Sequence, residues 1–342
     1  MEKLKAEIWG NMLSVDVSKL SDDQNIELKI AGEGQVHFPL KNFRKRNRRR
    51  IMGFKKITPY ALLSPILILY VLLIGGGLIE TVKESTGYIP VLGLNTVNLD
   101  SYKEIFGQND FIRDMLYSIY LAGISTIMST FLGIIIAYCF VTSKNSLIKS
   151  IVNKTLQMGL IIPYLYVVFL AMILLSQAGF VSRLMHNIGV VKDLKSFPEL
   201  VFDRRGVGII CVYVFKGTPF IALFVLNVMS KISRTYEEVA KSLSASGLTI
   251  LRKIYIPLSS GAIIWASCIV FAYALGSFEV PYLLGSISPV SLSSRLYSMF
   301  INPDFNAIPK GMALNIIIIV LGGAIVGVYA TMLKFLLKGR RS

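Results

Sequence analysis

Glu237 and Glu238 open the stretch EEVAKSLSASGLTILRKIYIPL (237–258), a mixed, helix-patterned segment between two long apolar ones. Two carboxylates sharing a short segment with Lys241, Arg252 and Lys253 offer charge-assisted hydrogen bonds, the chemistry of recognition. Ile232, Tyr236, Val239 and Leu243 step 4, 3 and 4 residues along one helix face, and Gly247, Leu251, Ile254 and Leu258 repeat those steps. The small residues Ser244–Gly247 between the two sets predict a sharp turn. Pro257 cannot continue an unbroken hydrogen-bond ladder, so it is expected to mark where the loop ends and the next apolar run begins. The expected form is a knuckle of two short amphipathic helices at right angles. Its apolar stripe would pack under neighbouring helices, and Glu237, Glu238, Lys241, Arg252 and Lys253 would face a partner. The competing form is an interfacial helix lying on lipid, which would favour cations throughout; the Glu pair argues against it.

Other reactive side chains are sparse. Lys216 is the one charge within an otherwise apolar run. Phe278, Glu279 and Tyr282 stand together in SFEVPYLLG (277–285) at the end of another. The two histidines, His37 and His186, are far apart in sequence, and the three cysteines, Cys139, Cys211 and Cys268, have no metal-type spacing. The cysteines are expected to act as small buried hydrophobes. No G-x-x-x-x-G-K-[ST] phosphate loop occurs, and GGGLIE (Gly75–Glu80) lacks the lysine such a loop requires. No catalytic constellation is legible. A lipid-acting membrane enzyme would need acids or histidines clustered at one membrane face, and none cluster here.

The elements that position these residues are membrane spans. Of 342 residues, 54% are hydrophobic and 16% charged, against about 25% charged in soluble domains. Six stretches meet the length of ~20 residues needed to cross a bilayer: Ile57–Ile79, Met115–Ser143, Thr155–Ser182, Gly206–Ser230, Ile254–Phe278 and Gly311–Leu333. Helices are expected, because open strands leave backbone groups unsatisfied in lipid. With the N-terminus inside, the segments 41–56, 144–154, 231–253 and 334–342 hold 21 Lys and Arg in 59 residues. The opposite loops, 80–114, 183–205 and 279–310, hold 10 in 90. That asymmetry predicts both termini, and the knuckle, on the cytoplasmic side.

The net charge of +16 therefore reads as topology and lipid contact rather than nucleic-acid binding. The nine basic residues from Lys41 to Lys56 suit anionic headgroups. No apolar core follows Met1 in the window of a signal peptide. Residues 1–56 are expected to form a cytoplasmic extension and 57–342 a transmembrane domain. Lys216 is expected ~15 Å below the start of its span. A lone lysine there should face a wet cavity or a carboxylate. Lining a solute path and pairing structurally inside the bundle both remain open for it. An ion-driven secondary transporter would usually show internal repeats and several intramembrane charges, and this sequence shows one charge and no clear repeat.

The knuckle resembles the coupling loop of permease subunits in binding-protein-dependent ABC importers, the MetI-like class. Their signature runs Glu-Ala-Ala, three residues, Gly, nine residues, Ile, any residue, Leu-Pro. The matching positions here are Glu238-Val239-Ala240, Ser244 and Ile254-Tyr255-Ile256-Pro257, without a gap. The family's glycine is Ser244, so Gly247 is expected to supply the flexible backbone instead. TPYALLSPILIL (58–69) and FKGTPFIALFVLNVMSKIS (215–233) are also similar to the family, and with SFEVPYLLG extend the likeness over 57–342.

The resemblance implies an all-α membrane subunit of six spans in a prokaryotic cell membrane, with a cytoplasmic coupling loop at 231–257. It implies partners: ABC ATPase subunits, a second permease, an extracellular substrate-binding protein and membrane lipid. This chain would carry no cofactor and no enzymatic activity, with ATP and Mg held by the ATPase. Glu237, Glu238, Ala240, Ser244, Ala245, Gly247 and Pro257 would serve the ATPase coupling, and Lys216, Phe278, Glu279 and Tyr282 the substrate path. The implied cargo is a small charged solute of spermidine/putrescine type, with oxyanion or phosphonate, ferric iron, thiamine and sugar as alternatives.

Overall fold

The computed structural model describes residues 3–8, 11–16, 26–29, 35–38 and 40–338 except 194–195, 233 and 306, with side chains from Leu62 onward except those of 92, 234, 332–334 and 336–338. The side chains of His37 and of the basic run 41–56, together with Lys195 and the cations from Lys334 to Arg341, lie outside the described residues.

The chain divides into two compact units, 1–77 and 78–342. The first holds two antiparallel hairpins, β1 (Lys3–Ile8) with β2 (Asn11–Asp16) and β3 (Ile26–Lys29) with β4 (Gln35–Phe38). In the first hairpin Leu4 pairs with Val15 and Ala6 with Leu13 in backbone register. Helix α1 (Leu40–Ser85) begins in this unit. From Leu40 on, every longer regular element described is helical.

Among the described residues, five helices are long and apolar enough to cross a membrane: Leu62–Ser85 within α1, Asn109–Thr142, Tyr164–Asn187, Val207–Met229 and Ala307–Thr331. Gly247–Leu258 and Ser260–Gly276, bent by 77°, make a sixth if they count as one span. After short α2 (Asp100–Gly107), α3 (Asn109–Thr142) starts well before the expected Met115, carrying Asp110, Arg113 and Asp114 into the helix.

The expected third span, Thr155–Ser182, is broken. Helix α4 (Ser146–Ile161) stops before Pro163, and α5 (Tyr164–Leu175) and α6 (Phe180–Asn187) follow. Proline forces its predecessor out of the helical region, and Ile162 is extended at ψ 122°. Helix α7 (Val207–Met229), by contrast, keeps Pro219 in its interior.

Helices α3 and α7 form the most extensive pairing of the bundle. Ser118, Ala122, Ser125, Ser129, Gly133 and Ala137 make a buried small-residue face on α3, the composition that lets membrane helices approach closely. A Cβ added to Gly133 would stand 2.9 Å from Ile221 Cγ2, and one on Gly217 2.7 Å from Ser129 Oγ, so these two glycines set the closeness of the crossing.

Asp114 is fully buried, a charge that the sequence reading left outside the spans. It ion-pairs with Arg295 and accepts from the Val290 N–H at 3.2 Å. Ser118 Oγ, one turn on, accepts from the Leu292 N–H at 2.8 Å. A buried carboxylate is tolerated only with such partners, and these bonds tie the chain around 290–295 to the first turns of α3. Of the cysteines only Cys268 is buried; Cys139 and Cys211 sit on exposed faces of the bundle, contrary to expectation. An apolar span needs no core contact for its outer face, since lipid covers it, so hydropathy alone does not predict burial.

Candidate functional site

The knuckle has the expected parts with a different arrangement. Helix α8 (Arg234–Ser242) reverses at Ser244, and α9 (Gly247–Leu258) follows. Ser244 itself adopts φ 57°, the left-handed conformation that glycine tolerates best. Gly247 shows no positive φ, so the turn is made at the signature's glycine position and not three residues later. Ser246 caps α9, its Oγ accepting from the Thr249 N–H at 3.3 Å. Ser244→Gly should relieve about 1 kcal/mol of backbone strain and raise the thermal midpoint of the detergent-solubilised protein by roughly 2–4 °C. A lower midpoint in differential scanning fluorimetry would show that the turn is unstrained.

Pro257 has no N–H to donate, and the ladder just before it widens into a π-turn over Leu251–Tyr255. The bend itself falls at Ser259, whose Oγ donates to the Tyr255 carbonyl at 2.5 Å. Helix α10 (Ser260–Gly276) therefore starts six residues after the expected Ile254.

The faces of α8 are reversed from expectation. Tyr236, Val239 and Leu243 are 58%, 54% and 78% exposed, so this stripe does not pack under the bundle. Of the expected stripe only Ile232 packs inward, and Ala240 and Ala245 join it against the buried cluster of Met229, Ile250, Leu251 and Tyr255. Glu237 turns inward with them: its side chain is 14% exposed, and Oε2 accepts from the Tyr255 hydroxyl at 3.0 Å. Its Oε1 holds Lys241, whose ammonium is pushed above the usual lysine range by that bond. Glu238, Lys241, Ser244, Gly247, Arg252 and Lys253 are exposed, and Pro257 half-buried. On α9, Leu251 and Ile254 face the core, whereas Leu258 is exposed.

Lys216 has neither a carboxylate nor open water as its partner. It is 5% exposed, and its Nζ donates to the carbonyls of Gly159, Leu160 and Ile162 at 2.8, 3.2 and 2.6 Å. Three acceptors at bonding distance require three N–H donors, which only the ammonium form carries. The break at Pro163 leaves the last carbonyls of α4 without backbone donors, and a cation suits that negative helix end. The ammonium also lies 4.9 Å over the Tyr164 ring. Sequence reasoning missed this pairing, although Pro163 was a visible sign of freed carbonyls.

Tyr164 stacks in turn on Tyr273 at 4.6 Å. Tyr273 lines a recess of about 340 Å³ with Ala272, Gly276, Ser277, Phe278 and Glu279. Phe278 stacks on Tyr297 at 4.5 Å, and Tyr282 meets the same ring edge-on at 4.8 Å. Phe278, Glu279 and Tyr282 thus lie together, with the Glu279 carboxylate exposed at the recess. Among the described residues no group of three or more His, Cys, Asp or Glu is placed to hold a metal ion.

Residues 129–338 match the family model described as binding-protein-dependent transport system inner membrane component. The glucose import system permease protein GlcT of Saccharolobus solfataricus is 29% identical over 212 residues, 60% of this chain and 71% of its own length. The spermidine/putrescine transport system permease protein PotB of Escherichia coli is 26% identical over 236 residues, 68% and 81% of the two chains. A bacterial ABC transporter involved in the import of the acidic polysaccharide alginate shares the fold, with TM-score 0.68 over 84% of this chain and 98% of that chain at 18% identity. The family model spans more than half of the 342 residues, so the chain belongs to the inner membrane components of binding-protein-dependent transport systems.

Proposed function

We propose that this multi-pass permease subunit of an ABC importer forms half of the pore for a small cationic solute of polyamine type. Six spans, counting the bent pair as one, would sit in a prokaryotic cell membrane with both termini cytoplasmic. Residues 1–56 would be a cytoplasmic extension and 231–257 the coupling loop. A second permease, ABC ATPase subunits and an extracellular binding protein complete the machine, with ATP and Mg on the ATPase and no hydrolytic step on this chain. Closure of the ATPase would push on the face carrying Glu238, Tyr236, Val239 and Leu243, which the chain itself leaves uncovered.

One observation carries the cargo reading: the recess is lined by Glu279 together with Tyr273 and Phe278, and by no cation. Lys216, the residue that favoured an oxyanion, spends its three protons on carbonyls. A carboxylate beside Tyr273 and Phe278 offers an ammonium both an ion pair and ring faces. PotB is described as a spermidine/putrescine permease, which agrees with a cation, whereas a sugar would make little use of the charge.

The test is uptake of labelled spermidine by cells carrying the whole importer. Putrescine is expected to compete; phosphonate, thiamine and glucose are not. Glu279→Gln should raise the half-saturating concentration about tenfold, the ~1.4 kcal/mol equivalent of one charge-assisted contact. Competition by glucose or phosphonate, with no effect of Glu279→Gln, would overturn the reading.

A further inference from the structure

Motion passed into the knuckle has to leave it through something stiff. The covalent route is not stiff: it runs through the π-turn at Leu251–Tyr255 and a 77° bend at Ser259. The other route runs through two tyrosines. Tyr255 on α9 is 1% exposed, and its hydroxyl donates to Glu237 Oε2 of α8 at 3.0 Å. Tyr138, near the end of α3, meets the Tyr255 ring edge-on at 5.4 Å. The Tyr138 hydroxyl donates to the carbonyl of Gly247, the first residue of α9, at 2.9 Å. A Cβ at Gly247 would come within 3.2 Å of that hydroxyl, so glycine here permits the bond. Two rings and one carboxylate thereby join α8, α9 and α3.

We propose that Tyr255, Glu237 and Tyr138 are positioning residues that make the two limbs of the knuckle and span α3 move as one body. This rests on the reading of 231–257 as the coupling loop and deepens it. Glu237 then acts inside the chain as a strut, while Glu238, one residue on and exposed, meets the ATPase. Displacement of α8 reaches Tyr255 through the carboxylate and reaches α3 through ring contact and the Gly247 carbonyl. Because α3 and α7 form the most extensive pairing of the bundle, motion delivered to α3 is passed on to α7.

The test is hydrogen–deuterium exchange on the complete complex in lipid nanodiscs, with and without ATP plus vanadate. In the wild type, trapping should change exchange in α8 and in the 125–142 portion of α3. Tyr255→Phe keeps the buried ring and removes only the bond; it should retain the change in α8 and lose the change in α3. Glu237→Ala should behave likewise, and Glu237→Gln, which keeps an accepting oxygen, should retain both. A merely structural role would alter exchange equally in both states. Persistence of the α3 response in Tyr255→Phe overturns the strut while leaving the coupling loop intact. Absence of any nucleotide-driven change in wild-type α8 overturns the coupling loop and the strut with it.

Discussion

Lys216→Met is expected to lower the thermal midpoint of the purified protein by roughly 6–12 °C, and to do so without cargo present. Methionine fills similar space but leaves the carbonyls of Gly159, Leu160 and Ile162 without their donor at the buried end of α4. An unsatisfied buried carbonyl costs ~1 kcal/mol or more, so three together cost about 3 kcal/mol. Lys216→Arg should be intermediate, since a planar guanidinium cannot converge its donors on one point as an ammonium can. If Lys216 instead served cargo directly, the methionine variant would melt with the wild type and lose uptake alone. Thermal melts paired with uptake assays separate the two outcomes.

Glu238→Arg is expected to abolish uptake while the chain still inserts and folds. Glu238 is exposed beside the uncovered apolar stripe of Tyr236, Val239 and Leu243, so its reversal removes no buried contact among the described residues. At an interface, a like-charge juxtaposition or a stranded partner charge costs about 2–5 kcal/mol, which is on the order of 30- to 4,000-fold in affinity. The measurement is recovery of the ATPase with the tagged permease, alongside an unchanged thermal midpoint of the permease alone. Full recovery of the ATPase and wild-type uptake would remove Glu238 from the contact.

How much of this was legible in the sequence varied with the kind of signal. Hydropathy located the spans because lipid imposes a composition, and the signature from Glu238 to Pro257 located the knuckle. Boundaries failed where a local event outranked composition. Helix α3 starts at Asn109 because Asp114 is compensated by Arg295, a partner far away in sequence. The third span breaks because Pro163 removes a donor, and the same event explains the buried lysine on α7.

The knuckle's faces were inverted by an assumption: that an apolar stripe seeks its own chain's core. For a subunit of a larger machine the stripe can belong to a partner, and small or bonded residues then turn inward. Glu237 and Ala240, three residues apart on one helix face, carried that information, and Glu237 bonds Tyr255 across the turn. The turn falls within the expected Ser244–Gly247, but the left-handed residue is Ser244, at the signature's glycine position, and not Gly247.

The most direct test of the coupling claim is site-specific cross-linking in native membranes. Cys139 and Cys211, both exposed, are first replaced by serine. Single cysteines at Glu238 and Val239 are then treated with a short bifunctional thiol reagent and, separately, with a membrane-impermeant label from outside. The account predicts an adduct with the ATPase at both positions, its yield altered by ATP plus vanadate, and no labelling from outside. Labelling from outside, with no ATPase adduct at either position, would contradict it.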